Sequence, residues 1–311
     1  MRGLRSLIAT IALPALLYLN SFGAEIGSKS YFAQARDKTQ IEIKSYSTKK
    51  ENPSIIYATF LGNNGDRNSI IDALAEKYNV VTFAPRNSGV LTNQSITINN
   101  YVSDLEDTIK MVEKETKQKP YGFGMSGLGG YALALLTSKE PMVKRAVLAA
   151  PMLDLLEQAP KDKIPWATKE LEKEIPGWIL RLACACACEG MDGGGMKFGL
   201  QRFYDTKPGN SQIYDLFRNA LKADKIEKPL KVPTKVILAK IDFFGDDLRK
   251  EEIKRLKSAW ENLGAETTVM QSNHWFGCND DEEVGFKGKE AGKMFIDTGE
   301  IKEIFRFLES K

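Results

Sequence analysis

The chain has 311 residues, 42% hydrophobic and 27% charged, with 25 Gly and 12 Pro. That composition excludes a disordered or collagen-like chain, and the length supports a large core without disulfide or metal staples. The 44 basic and 41 acidic side chains leave a formal charge of only +3, without the basic stripe of a nucleic-acid binder.

In chain order, residues 1–23 come first. Arg2 and Arg5 precede an apolar run from Leu7 to Leu19, and Ser21 and Gly23 are small residues at signal-peptidase spacing. The run is shorter than the roughly 20 residues a spanning helix needs. The sequence therefore predicts a signal peptide cleaved after Gly23 and an exported protein, periplasmic or secreted. An uncleaved N-terminal anchor is the alternative.

Short apolar runs then alternate with amphipathic stretches. Residues 39–45 alternate as an edge strand should. Residues 54–60 (SIIYATF), 80–83, 121–125, 145–150 (RAVLAA), 235–239 (KVILA) and 266–270 read as strands. Residues 69–77 and 102–114 carry apolar residues at helical spacing, and 128–136, 251–263 and 299–308 also read as helices. Strand and helix in alternation predict an α/β fold with a mostly parallel central sheet flanked by helices. Residues 152–231 break the rhythm, with Pro160, Pro165, Pro176 and Pro208 and the tract LACACACEGMDGGG. This stretch reads as a helical cap inserted over the carboxyl edge of the sheet, where ligands of open α/β sheets bind. The core is then residues 24–151 and 232–311.

The chemistry-bearing segment is YGFGMSGLGGY, residues 121–131. A strand enters a glycine-dense turn and leaves as a helix. A serine on such a turn projects its hydroxyl, and the amide after it faces a developing oxyanion. Ser126 is that serine and Gly127 supplies that amide. A glycine-rich helix start that binds a phosphate is the plainer alternative. Two later features favour nucleophilic catalysis. Asp242 follows the 235–239 strand, and His274, the single histidine of the chain, follows the 266–270 strand. Ser126, Asp242, His274 is the chain order of a serine-hydrolase triad on an α/β sheet. His274 is the base that suits proton transfer near neutrality, and Asp242 orients it; Asp246 and Asp247 are the alternative acids.

With those motifs in place, residues 35–311 resemble the α/β-hydrolases, specifically the lysophospholipase and monoacylglycerol-lipase branch grouped with serine aminopeptidase-like hydrolases. Residues 54–65 resemble the strand and oxyanion loop, 79–89 (NVVTFAPRNSG) the next strand and its Arg- and Gly-containing loop, and 149–155 (AAPMLDL) a strand end of that branch. IDFFGDD and NHWFG match the acid and base positions. The resemblance implies an α/β-hydrolase fold with a helical cap. It also implies a second oxyanion amide at Asn63, although Leu61-Gly62 stands where the family has His-Gly. Leu128 occupies a position that is normally small, so an apex at Ser126 implies a positive φ there and local widening between helix and strand. A one-residue shift would instead put Gly127 at the apex and leave the scaffold without a nucleophile.

The sequence thus predicts an exported serine hydrolase of carboxylic esters, foremost monoacyl lipids such as a lysophospholipid or monoacylglycerol. It needs no metal or organic cofactor. The partner is an acyl ester or lipid substrate, with the cap a candidate for peripheral membrane contact and no nucleic acid. A peptidase or amidase, or a catalytically silent binding protein, are the alternatives. Cys184, Cys186 and Cys188 lack the C-x-x-C pairing of a metal site and read as small cap residues; with Cys278 they leave the redox state open.

Overall fold

The computed structural model describes residues 25–59, 65–86, 97–151, 226–240, 250–273, 276–277 and 290–310. Residues 1–23 and most of the expected cap, with its three cysteines, lie outside them, as does Cys278. The described residues build one eight-stranded sheet: β1 (Gly27–Gln34), β2 (Gln40–Ser47), β3 (Ser54–Ala58), β4 (Asn79–Phe83), β5 (Tyr121–Met125), β6 (Ala146–Ala149), β7 (Thr234–Ala239) and β8 (Glu266–Met270). Their order across the sheet is β1-β2-β4-β3-β5-β6-β7-β8. β1 pairs antiparallel with β2 and β2 with β4; every pairing from β4 to β8 is parallel. The helices are α1 (Ser69–Ala75), α2 (Ile98–Thr116), α3 (Ser126–Lys139), α4 (Lys250–Asn262), α5 (Lys293–Asp297) and α6 (Glu300–Glu309).

The strand pleat sorts side chains into two core layers. Ile56, Ala58, Leu148, Val236 and Leu238 join α2, α3 and Trp260 of α4 on one face. Ile55, Tyr57, Phe123, Met125, Val147 and Ile237 join α1, α5 and α6 on the other. Parallel strands covered on both faces read as unbroken apolar runs, which is how β3 and β7 appear. α3 is buried from Ser126 to Ser138, because it lies between the sheet and α2. Caps set the helix starts. Asn68 accepts from the Ile71 amide, and Thr97 and Asn100 form a reciprocal capping box at α2.

Two features depart from expectation. β2 is not the edge strand; β1 lies outside it, and all but one of its residues are exposed. α5, five residues long, precedes α6 and is anchored by the buried Phe295.

Strand order fixes where the site can be. The chain leaves β3 toward β4 through α1 on one face, and leaves β5 toward β6 through α3 on the other. Connections from these adjacent strands therefore diverge, and such a switch point opens a crevice at the carboxyl ends. Thr59 follows β3 and Ser126 follows β5 at that crevice.

Candidate active site

β5 ends at Met125 in extended backbone (φ −105°, ψ 135°), and α3 begins at once with Ser126. Ser126 has φ 64°, a left-handed conformation that a side chain adopts only where its surroundings hold it. Among the described glycines, positive φ occurs at Gly65, Gly264, Gly292 and Gly299, and Gly127 is not one of them. The turn's apex is therefore Ser126. Gly127 follows in the first turn of α3, where helix amides lack intrahelical partners and the helix dipole is positive.

The glycines around the apex are required by contact distance. A Cβ on Gly129 would stand 2.3 Å from the Ala58 carbonyl oxygen and 2.7 Å from that of Thr59. One on Gly124 would stand 2.8 Å from the Gly129 oxygen, and one on Gly130 2.7 Å from Pro151 Cβ. Helix, β3 and β5 thus meet backbone to backbone. The widening expected for Leu128 does not occur. Leu128 is buried in the α2-side core, and the close approach is made one and two residues later by Gly129 and Gly130.

Asn63, Asp242 and His274, with the alternative acids Asp246 and Asp247, lie outside the described residues. The chain leading to each is described. β3, which leads to Asn63, pairs with β5 at Ala58 and Gly124. β7 and β8, which lead to Asp242 and His274, pair through Ala239 and Met270, and the Lys240 amide donates to the Met270 carbonyl at 2.9 Å. Flanking His274, the Phe276 amide donates to the Asn273 carbonyl at 3.0 Å and the Gly277 amide to Asn273 Oδ1 at 3.0 Å. Phe276 has φ 54°, is fully buried, and stacks on Phe295 at 4.5 Å. That anchor could have been suspected from an aromatic in the loop after β8, but its partner in α5 has no periodic signature.

A second network flanks the crevice. Arg86, just after β4, donates through Nε to Asp104 Oδ2 at 2.8 Å and through Nη2 to Oδ1 at 2.6 Å. Its Nη1 reaches Asp37 Oδ2 at 2.6 Å and Thr39 Oγ1 at 3.3 Å. Burial pushes the Asp104 carboxyl up, and the Arg86 fork pulls against it. Asp37 is held down at about 2, chiefly by its hydrogen bond from Arg86. The readable signal was an acid on the buried stripe of a helix, between Tyr101 and Thr108.

No family model matches the chain, and no curated protein does. Solved structures do. An esterase of Pyrococcus furiosus aligns over 91% of this chain and 92% of its own at 13% identity, with a TM-score of 0.56. GrgF, an α/β hydrolase of Penicillium sp. sh18, aligns over 91% and 98% at 12% identity, with a TM-score of 0.58. A membrane phospholipase A described as a bacterial virulence factor aligns over 96% and 97% at 16% identity, with a TM-score of 0.55. With a mostly parallel sheet, flanking helices and a strained serine between β5 and α3, this chain has the α/β-hydrolase fold.

Proposed function

We propose that this protein is a serine hydrolase of carboxylic esters, with monoacyl lipids as the foremost substrates. The observation that carries the reading is Ser126, held at φ 64° on the turn from a parallel strand into a helix at the switch point of the sheet. A fold alone does not assign chemistry; a strained serine at that place supports it.

In this reading Ser126 attacks the acyl carbonyl while His274 takes its proton. Asp242 keeps the imidazole in the right tautomer and stabilises the imidazolium. The Gly127 and Asn63 amides receive the oxyanion. His274 returns the proton to the leaving alcohol, and water, activated by the same base, releases the acid. The esterases and the phospholipase among the structural neighbours agree with an ester substrate without fixing it. The residue 152–231 insertion is assigned to substrate selection and to contact with a lipid surface.

A fluorophosphonate probe tests the chemistry. Wild type is expected to label, and Ser126→Ala and His274→Ala to remain unlabelled while folded. An unlabelled, folded wild type would discard the hydrolase in favour of a silent binding protein. Faster cleavage of acyl anilides than of matched esters would move the substrate class to amides. Asp242→Asn is expected to fold and lose kcat on the order of ten-thousandfold; near-normal turnover would transfer the acid role to Asp246.

The N-terminal segment completes the reading, because export fits its charged and apolar regions. Sequencing of the mature protein is expected to begin at Ala24, whereas a start at Met1 would favour an anchor.

A further inference from the structure

Tyr101 is fully buried on α2, one turn before Asp104, with its ring tilted against Phe83 at 5.0 Å. Its hydroxyl donates to the Thr59 carbonyl at 2.6 Å. Burial pushes the phenol well above its ordinary range, so the hydroxyl stays protonated and remains a donor. The Thr59 carbonyl has a second neighbour, for it is one of the two oxygens against which Gly129 is packed. Gly129 belongs to the same helical turn as Ser126 and Gly127. The return of the β3 loop is also tied: the Tyr46 hydroxyl donates to the Gly65 carbonyl at 2.9 Å, and Gly65 has φ 73°.

A carbonyl that must accept a hydrogen bond on one side while touching a helix backbone on the other has little freedom. It transmits the position of α2 to the first turn of α3. We propose that Tyr101 is a positioning residue for the hydrolytic reaction: through the Thr59 carbonyl it holds the first turn of α3, and with it the Ser126 apex and the Gly127 amide, in reactive register with the end of β3. This rests on the hydrolase reading of Ser126. Tyr101 is fully buried and acts through the Thr59 carbonyl. Its contribution is preorganisation, which matters because misplacing catalytic geometry by about 1 Å can cost on the order of a hundredfold in rate.

The test is Tyr101→Phe, which keeps the ring and its packing and removes only the donor. Steady-state hydrolysis of a p-nitrophenyl ester and the rate of fluorophosphonate labelling are read beside thermal unfolding. We expect kcat and the labelling rate to fall together by about tenfold, the scale of one ordinary hydrogen bond, with KM within twofold of wild type. Phe83→Leu is the control, since it loosens the same ring without touching the hydroxyl. It is expected to lower Tm at least as much as Tyr101→Phe and to leave kcat within twofold. Equal kcat and labelling in Tyr101→Phe and wild type would overturn the positioning role while leaving the hydrolase intact. A matching kcat loss in Phe83→Leu would overturn it too, by reducing Tyr101 to general stability. A folded wild type that neither labels nor turns over would instead overturn the hydrolase reading, and the role of Tyr101 with it.

Discussion

Arg86 illustrates how one side chain can join three pieces of chain. Its guanidinium connects the exit of β4 to α2 through Asp104 and to the β1–β2 turn through Asp37 and Thr39. The two acids differ in what they contribute. Asp104 has 1% of its side chain exposed and Asp37 48%, so the Arg86–Asp104 pair is a buried charge pair and Asp37 is a rim partner. Removing one member of a buried pair strands the other. Asp104→Ala is therefore expected to cost about 3–5 kcal/mol in urea unfolding, and the double change Arg86→Met, Asp104→Leu clearly less than that. Equal losses in the two variants would show that packing, not charge, sets the penalty. Asp37 bears on acid stability. Its folded value, about 2, lies below the ordinary 3.8, so the unfolded chain binds the extra proton between those values. Stability from this group is then complete above pH 4 and is lost as pH falls toward 2. Melting curves should show wild type losing Tm across that window more steeply than Asp37→Asn. Parallel curves would mean that the Arg86 contact does not hold the charge in solution.

At the scale of elements, legibility followed burial. β3, β6 and β7 could be read because strands buried in a parallel sheet leave continuous apolar runs, and α2 because its stripe repeats at helical spacing. β1 was not legible. GSKSYFAQ has no apolar alternation, since β1 pairs along one side only and exposes Tyr31 and Phe32. The strand exists because β2 offers it a ladder, and no local pattern in the sequence records that. The same reasoning explains Leu128. Sequence spacing placed a large residue at the closest point of helix and strand, but the helical phase turns Leu128 toward the α2 layer and presents Gly129 to the β3 carbonyls. Contact of that kind predicts a specific intolerance. Gly129→Ala must push a methyl into two carbonyl oxygens and is expected to destabilise by about 3 kcal/mol or more, at the upper end of overpacking costs. Gly264 is the contrast. Beyond its own residue and its two chain neighbours, no described atom lies within 4 Å of its Cβ position, so Gly264→Ala pays only for its φ of 88° and should cost about 1–2 kcal/mol. Chemical denaturation of the two variants checks the order; reversed costs would mean that α3 can shift away from β3.

For the whole molecule, the question is whether the insertion between β6 and β7 is part of the fold or an addition to it. β6 and β7 are parallel neighbours in continuous register from Ala146 and Thr234 to Ala149 and Ile237. Their faces are covered by elements from elsewhere in the chain, α3 and α6 on β6 and α4 on β7. The return to β7 is fastened at the opposite end of the sheet from Ser126. The Leu230 amide donates to the Leu263 carbonyl and the Lys231 amide to that of Thr137, both at 2.9 Å, while Ile226 and Val232 enter the α2-side core. A connection from Pro151 to residue 226 therefore needs only enough length to recross the sheet, which for parallel neighbours is about a dozen residues or more. Replacing residues 152–225 with a flexible linker of roughly 20 residues, ample for that crossing, should give a protein that unfolds cooperatively and keeps its near-ultraviolet dichroism. Because Ser126 and Gly127 are positioned by β3, β5 and α2, that protein should still react with a small fluorophosphonate. If the insertion selects substrate, its preference among acyl chain lengths should flatten, with long-chain monoacyl esters losing more kcat/KM than acetate esters. Loss of cooperative unfolding would make the insertion part of the core, whereas an unchanged chain-length profile would place substrate selection in the crevice between β3 and β5.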